Sequence, residues 1–348
     1  MKNISKWYKW ILLAVIFQFG VLLYMNNVFL STDVDVSVSE NSGVKQKPST
    51  GDFKVPEVAQ MISISFNAKF GAYLEDGELR IVDVDKGKSK TVAGTGKDKI
   101  TYFRWLPDRD MVIYSSDTKN GRSGTVQVST YEADSETSRD YPELSGLPAK
   151  SQVKDIELSP YTNMVYAKIQ TSDTRARIIR FNVMGQYARV MTVDASIVIK
   201  ECTYTNKLVY QEKGQQISIY DGIKKANSRV PINVNNVTVL GIDLNDTLYI
   251  GALDDNGMVT QIYSQKIEEG SEMTEKWTKM SLKETAPPET VIVTGNGNLY
   301  INKKDENRVI NLKNDLKASY RGEFIEILDG VLVSKDENKV NITSLKEY

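Results

Sequence analysis

The sequence predicts an all-β fold, a seven-bladed β-propeller preceded by a single transmembrane α-helix. Three observations predict it. One apolar run near the N-terminus is long enough to cross a bilayer. Beyond it, apolar residues recur with period two rather than 3.6. The alternating runs themselves recur at a period of about 40 residues, the length of a four-stranded blade.

Residues 1–9 carry Lys2, Lys6 and Lys9 and are expected in the cytoplasm. Residues 10–30 are apolar except for Gln18, Gly20, Asn26 and Asn27. As a helix this run measures about 30 Å, the hydrocarbon thickness of a bilayer. Lysines precede it, and Asp33 and Asp35 follow it. That asymmetry places the C-terminal part outside the cell. Trp7, Tyr8 and Trp10 suit the headgroup boundary. A cleaved signal peptide is the competing reading. It would end in small residues, whereas Phe29, Leu30 and Ser31 close this run. The expectation is an uncleaved signal-anchor in the cell membrane.

Residues 31–52 are rich in Ser, Thr, Asp and Gly and read as a flexible stalk. A stalk of this length has an end-to-end distance of about 25 Å.

Residues 53–348 read as the extracytoplasmic propeller. Seven strands recur with anchors at Tyr73, Tyr114, Tyr166, Tyr210, Tyr249, Tyr300 and Leu332. Each anchor follows a turn residue: Asn67, Asp110, Asn163, Asn206, Asp246, Asn298 and Asp329. Asn and Asp suit tight connections because they tolerate left-handed backbone geometry. The spacings from Tyr114 to Tyr166 and from Tyr249 to Tyr300 are long enough to hide extra strands, so six or eight blades stay open. A pair of two-sheet sandwiches is the competing arrangement. The last unit is short of a strand, which would leave an unpaired edge. Residues 53–58 are expected to supply it by pairing with residues 339–345.

Composition narrows the function. There are 44 basic and 45 acidic side chains, a formal net charge of −1. A nucleic-acid footprint needs a basic excess, so no nucleic-acid partner is expected. The single Cys202 has no partner for an internal disulfide, and the core must hold the domain. That pattern suits a Gram-positive surface. The chain contains no histidine. This removes Ser-His-Asp and Cys-His catalysis and His-ligated metals.

Two units carry a more specific pattern. Trp105-Leu106-Pro107-Asp108-Arg109-Asp110-Met111-Val112-Ile113-Tyr114 resembles the W-S-P-D-G-K-x-I-x-Y/F repeat of TolB-like propellers. The same repeat marks the N-terminal propeller of the dipeptidyl peptidase IV family. Leu158-Ser159-Pro160-Tyr161-Thr162-Asn163-Met164-Val165-Tyr166 is a looser copy. The likeness covers two of the seven units and implies the fold rather than an activity. In dipeptidyl peptidase relatives an α/β-hydrolase domain follows the propeller. No G-x-S-x-G elbow occurs here, so the resemblance implies the propeller alone.

Few residues stand out as chemistry. Asp254-Asp255-Asn256-Gly257, with Asp243 and Asn245, is the densest set of oxygen ligands. Its spacing does not match an EF-hand loop, and an ordinary acidic turn is preferred. The two KDEN turns, with Asp305 and Asp336, are expected on one rim of the ring. Trp277 lies in a polar stretch and reads as a contact residue or an outer-strand residue. Tyr102, Phe103 and Trp105 are expected to pack between blades, because alternate strand residues face opposite ways. Gly94-Thr95-Gly96-Lys97 lacks the spacing of a phosphate loop.

No cofactor or metal is expected. The expected function is a non-enzymatic interaction or scaffold module in an envelope or export assembly. Its partner would be a membrane or envelope protein, or a wall polymer. Asp254, Asp255, Asp305, Asp336 and Trp277 are the candidate contacts. The alternative is a surface enzyme acting on an envelope polysaccharide without histidine chemistry.

Overall fold

The alternating runs form seven antiparallel sheets, each following the strand order of a propeller blade. The computed structural model describes residues 4–24, 49–93, 99–182 and 184–345. Residues 25–48, which hold most of the expected stalk, and the Gly94–Lys97 segment lie outside the described residues.

The N-terminal unit contains one helix, α1 (Ile4–Tyr24). It begins six residues before the expected span and takes in Lys6 and Lys9. Residues 25–30 of that span fall outside the described residues. Among the described residues, no helix is long and apolar enough to cross a membrane. The propeller is therefore established, and the transmembrane span is not.

The propeller unit starts with β1 (Gly51–Lys54). Blade one is β2 (Gln60–Ile64), β3 (Phe70–Glu75), β4 (Glu78–Asp83) and β5 (Lys88–Ala93). Blade two is β6 (Lys99–Trp105), β7 (Met111–Asn120), β8 (Ser123–Glu132), β9 (Thr137–Asp140) and β10 (Leu144–Pro148). Blade three is β11 (Gln152–Leu158), β12 (Val165–Gln170), β13 (Arg175–Phe181) and β14 (Tyr187–Asp194). Blade four is β15 (Val198–Glu201), β16 (Lys207–Gln211), β17 (Ser218–Asp221) and β18 (Ala226–Arg229). Blade five is β19 (Val237–Ile242), β20 (Thr247–Leu253), β21 (Val259–Lys266) and β22 (Thr278–Ala286). Blade six is β23 (Val291–Val293), β24 (Leu299–Lys303), β25 (Arg308–Asn311) and β26 (Lys317–Ser319). Blade seven is β27 (Glu323–Leu328), β28 (Val331–Asp336) and β29 (Lys339–Ser344), completed by β1.

All seven anchors lie on the second strand of their blades. The two long spacings have local causes. The outermost position of blade two is split between β9 and β10, which pair with different parts of β8. In blade five, residues 267–277 extend the connection from β21 to β22.

Ring closure occurs as expected, with a shifted register. Gly51, Asp52, Phe53 and Lys54 pair with Ile342, Asn341, Val340 and Lys339. The closing strand thus begins two residues before the expected propeller boundary and ends at Lys54. Its fastening is apolar. Phe53 is buried in a core shared by blades seven and one, with Ile64, Tyr73, Val333 and Val340. The Phe53 ring occupies the space above Gly71 of β3, where a Cβ would come within 2.3 Å of it. Glycine at 71 is needed for that close approach.

The turn residues do more than bend the chain. Asn163 and Asp246 have the expected positive φ, at 52° and 62°. Others act through their side chains. Asn67 Nδ2 of blade one donates to Asp110 Oδ2 of blade two at 2.9 Å. Asn206 Oδ1 of blade four accepts from Tyr166 Oη of blade three at 3.0 Å. Asp329 Oδ1 of blade seven accepts the Asn296 amide of blade six at 3.1 Å. The repeated polar turn therefore fastens neighbouring blades together.

Candidate interaction faces and the channel mouth

Antiparallel order sorts the turns onto two faces. Turns between first and second strands, and between third and fourth, lie on one face, called upper here. Turns between second and third strands, and the connections between blades, lie on the lower face. β1 runs antiparallel to β29, so the chain enters the propeller on the upper face. The Ser49 amide donates to the Asn67 carbonyl of an upper turn, fixing that entrance.

The first strands of all seven blades surround a central cavity of about 280 Å³, which opens among upper-face turns at Pro107, Leu244, Gly295 and Asp329. Its wall is charged. Glu157 of β11 is buried, and its Oε1 accepts from Arg104 Nη1 of β6 at 2.7 Å and Lys200 Nζ of β15 at 2.5 Å. Burial alone would raise the Glu157 carboxyl, but the two cations hold it below the usual range. Tyr102 Oη donates to Asp155 Oδ1 at 3.0 Å, and burial, with Glu157 alongside, pushes the Asp155 carboxyl up. These five side chains join blades two, three and four around the channel.

Two further glutamates face the cavity. Glu326 of β27 accepts from the Ser63 hydroxyl at 2.9 Å and the Ile64 amide at 2.7 Å of blade one. Burial pushes its carboxyl up to about 6. Glu201 of β15 is 8% exposed, and neither carboxyl oxygen has a hydrogen-bond partner. Burial first, and the neighbouring Glu157 second, push its carboxyl well above the usual range. Burial therefore favours its protonated form.

Beside the mouth, blades three and four leave large apolar side chains in the open. Tyr161 and Tyr204 are 71% and 53% exposed, in the first upper turns of these blades. Their rings lie 5.2 Å apart. Met184, Tyr187 and Ile223 are exposed in the second upper turns of the same blades. Arg180 Nη1 donates to the Gly222 carbonyl at 2.8 Å, which brings those two turns side by side. Sequence reasoning did not find this patch. A signal was present: Tyr-Thr-Asn occurs at 161–163 and again at 204–206, with Tyr161 standing where the propeller pattern has Asp.

The structure separates the residues expected to meet a partner. Asp254 and Asp255 follow β20, Asp305 follows β24 and Asp336 ends β28. All four lie on the lower face of consecutive blades five, six and seven. The Asp254 carboxylate is used locally, accepting the Asn256 and Met258 amides at 2.9 and 2.8 Å. Asp243 and Asn245 lie in an upper turn, so the oxygen-ligand set read from the sequence is not assembled. Among the described residues, no group of three or more Cys, Asp or Glu side chains is placed to hold a metal ion. Trp277 is on the upper face and is committed to packing: its Nε1 donates to the Pro231 carbonyl at 2.9 Å, and its ring joins the core of blades four and five. Phe103 and Trp105 are buried between blades one and two, with Trp105 stacked on Phe70.

No family model and no curated protein matches the sequence. Solved structures do match the fold. An oligogalacturonate lyase in complex with manganese aligns over 82% of this chain and 88% of its own, at 10% identity and a TM-score of 0.57. The Swd1 β-propeller domain of Myceliophteria thermophila aligns over 83% and 96%, at 13% identity and a TM-score of 0.53. A prolyl endopeptidase aligns over 84% of this chain but 43% of its own, at 10% identity and a TM-score of 0.52. The resemblance read from residues 105–114 thus holds for the propeller, and at these identities the likeness establishes the fold alone.

Proposed function

We propose that this chain is a membrane-tethered extracytoplasmic propeller acting as a non-enzymatic interaction module in a Gram-positive envelope or export assembly. The observation that carries this reading is the committed state of the channel mouth. Glu157 is neutralised by Arg104 and Lys200, and Glu326 is held by blade one. Neither is free to act as a base. The rigid ring instead offers its rims. Asp254, Asp255, Asp305 and Asp336 crown the lower face of blades five to seven, away from where the N-terminal chain enters. A partner with a basic surface fits them, either a membrane or envelope protein or a cationic wall polymer. The tether is read from the apolar run 10–30, and the described apolar side chains of α1, from Leu12 to Leu22, are exposed. Lipid is the solvent that suits them.

One observation favours the alternative, an enzyme acting on an envelope polysaccharide. Glu201 is a buried carboxyl beside the channel, and burial favours the protonated form that a general acid needs. The test has two arms. Purified full chain is incubated with envelope polysaccharides and with oligogalacturonate, and solubilised membrane proteins are passed over it. The expected outcome is no cleavage, and retention of a partner that is lost when the four aspartates become asparagine. Cleavage abolished by Glu201→Gln would overturn the module reading.

A further inference from the structure

We propose that the upper-face patch of blades three and four rests on an anionic lipid bilayer. This inference rests on the tethered reading above. It goes beyond that reading by giving the propeller an orientation and a second point of attachment.

Four neighbouring turns make the patch. They present Tyr161, Tyr204, Met184, Tyr187 and Ile223 to solvent. Three of the five are tyrosines, whose apolar ring and polar tip suit the headgroup boundary. The patch is not an incidental loose end. The Tyr204 backbone is pinned, because Asp246 accepts the Thr203, Tyr204 and Thr205 amides. Buried Ser159 holds the Tyr161 turn, its hydroxyl accepting the Thr162 amide at 2.9 Å and donating to the Thr203 carbonyl at 2.6 Å. A backbone already held in these two turns loses less entropy on docking.

Charge selects the occupant. Lys224 and Lys225 are exposed beside Ile223. The Asp221 carboxylate beneath them is occupied by the Ile223 and Lys224 amides. No other acid lies in the four turns, residues 159–164, 182–186, 202–206 and 222–225. Upper turns elsewhere differ. In blade two the exposed acids Asp108, Asp134 and Glu136 are paired with Arg109, Lys69 and Lys90. Blade five exposes Glu268, Glu269, Glu272 and Glu275. An anionic surface attracts the blade three and four sector and repels the glutamates of blade five. The propeller would therefore lean onto the membrane at this edge.

The tether permits it. The chain enters the propeller on this same face, and residues 25–48 separate α1 from the ordered Ser49. Twenty-four residues span at most about 80 Å. The lower face, with its aspartates, then points away from the lipid toward a partner.

The experiment uses the full chain reconstituted in vesicles. A cysteine is placed at Tyr161, Ile223 or, as a lower-face control, Asn256, and labelled with an environment-sensitive fluorophore. Cys202 is fully buried and its thiol is pushed up by burial, so it stays unlabelled. Wild-type protein checks this. The lipids are phosphatidylcholine alone or mixed with phosphatidylglycerol, each carrying a headgroup-depth quencher. The expected result is quenching several-fold stronger at 161 and 223 than at 256 in the anionic vesicles. It should weaken in neutral vesicles and at high salt. Equal quenching at all three positions, or none while the protein floats with the vesicles, overturns the proposal. So does shielding of 161 and 223 in native membranes without quenching in lipid, which assigns the face to a protein. Failure to float with the vesicles contradicts the tether itself, and the proposal falls with it.

Discussion

The carboxylate of Asp246, in the first turn of blade five, accepts the backbone N–H of Tyr204, in the same turn of blade four, at 3.0 Å. The Thr203 and Thr205 amides point to the same carboxylate. One acidic side chain thereby caps a turn of its neighbour and fixes the exposed Tyr204. Burial raises the Asp246 carboxyl, and the three amides pull it back.

Asp246→Ala leaves three amides without their acceptor. The expected loss is about 3 kcal/mol, since each buried unsatisfied donor costs on the order of 1 kcal/mol or more. Asp246→Asn keeps an acceptor oxygen and loses less. Denaturant unfolding of the two variants checks the order, and equal stability of Asp246→Ala and wild type would contradict the fastening role.

Closure of the ring depends on Phe53 lying over Gly71. Removing residues 1–48 leaves β1 intact and is expected to keep the melting temperature. Removing residues 1–54 exposes the edge of β29 and should lower it markedly. Gly71→Val should act like the longer truncation, because its side chain takes the space of the Phe53 ring. Coincident melting of both truncations would place the closure elsewhere.

Glu157 holds two cations in the channel wall. Glu157→Gln leaves Arg104 and Lys200 with one uncharged partner between them. The expected cost is about 1–3 kcal/mol, below the range for a fully buried pair because the Arg104 side chain is 42% exposed. A double-mutant cycle with Lys200→Met should recover part of it, and strict additivity of the two changes would argue against the network.

The pH dependence has a defined sign. Burial, with Glu157 alongside, raises the Glu201 carboxyl well above the 4.5 of an ordinary glutamate. Folding therefore takes up a proton once the unfolded chain is ionised. The stability tied to Glu201 is complete below that value and is lost as pH rises toward the folded pKa, by about 1.4 kcal/mol per unit. Glu326 acts in the same direction, from 4.5 up to about 6. Glu201→Gln is expected to flatten the fall in stability as pH rises above the ordinary glutamate value. An unchanged slope in urea titrations at several pH values would show that Glu201 is ionised in the folded protein.

The propeller was legible because its signal is repeated. Seven aromatic or apolar anchors and seven polar turns survive the drift of any single blade. The closing strand was legible from an arithmetic shortage in blade seven, but its register was not. Phe53 was placed correctly, whereas Gly51 and Asp52 lack side chains that distinguish a strand from a stalk. The packing of Trp277 was not legible, because the Pro231 carbonyl it bonds lies 46 residues away in sequence. The channel network was invisible for a similar reason: Arg104, Glu157 and Lys200 come from three blades, and each alone is an ordinary charged strand residue. The tyrosine patch left a trace, the repeated Tyr-Thr-Asn, that periodicity does not weigh.

The central claim is that the ring works by contact, with the lower-face aspartates of blades five to seven turned to a partner. Site-specific photo-crosslinking in intact cells tests it most directly, with the reactive residue placed at Asp305 or Asp336 of the full chain. The account predicts a discrete adduct from these positions, reduced when Asp254 and Asp255 are replaced by asparagine. No adduct from either position, together with polysaccharide cleavage that Glu201→Gln abolishes, would contradict it.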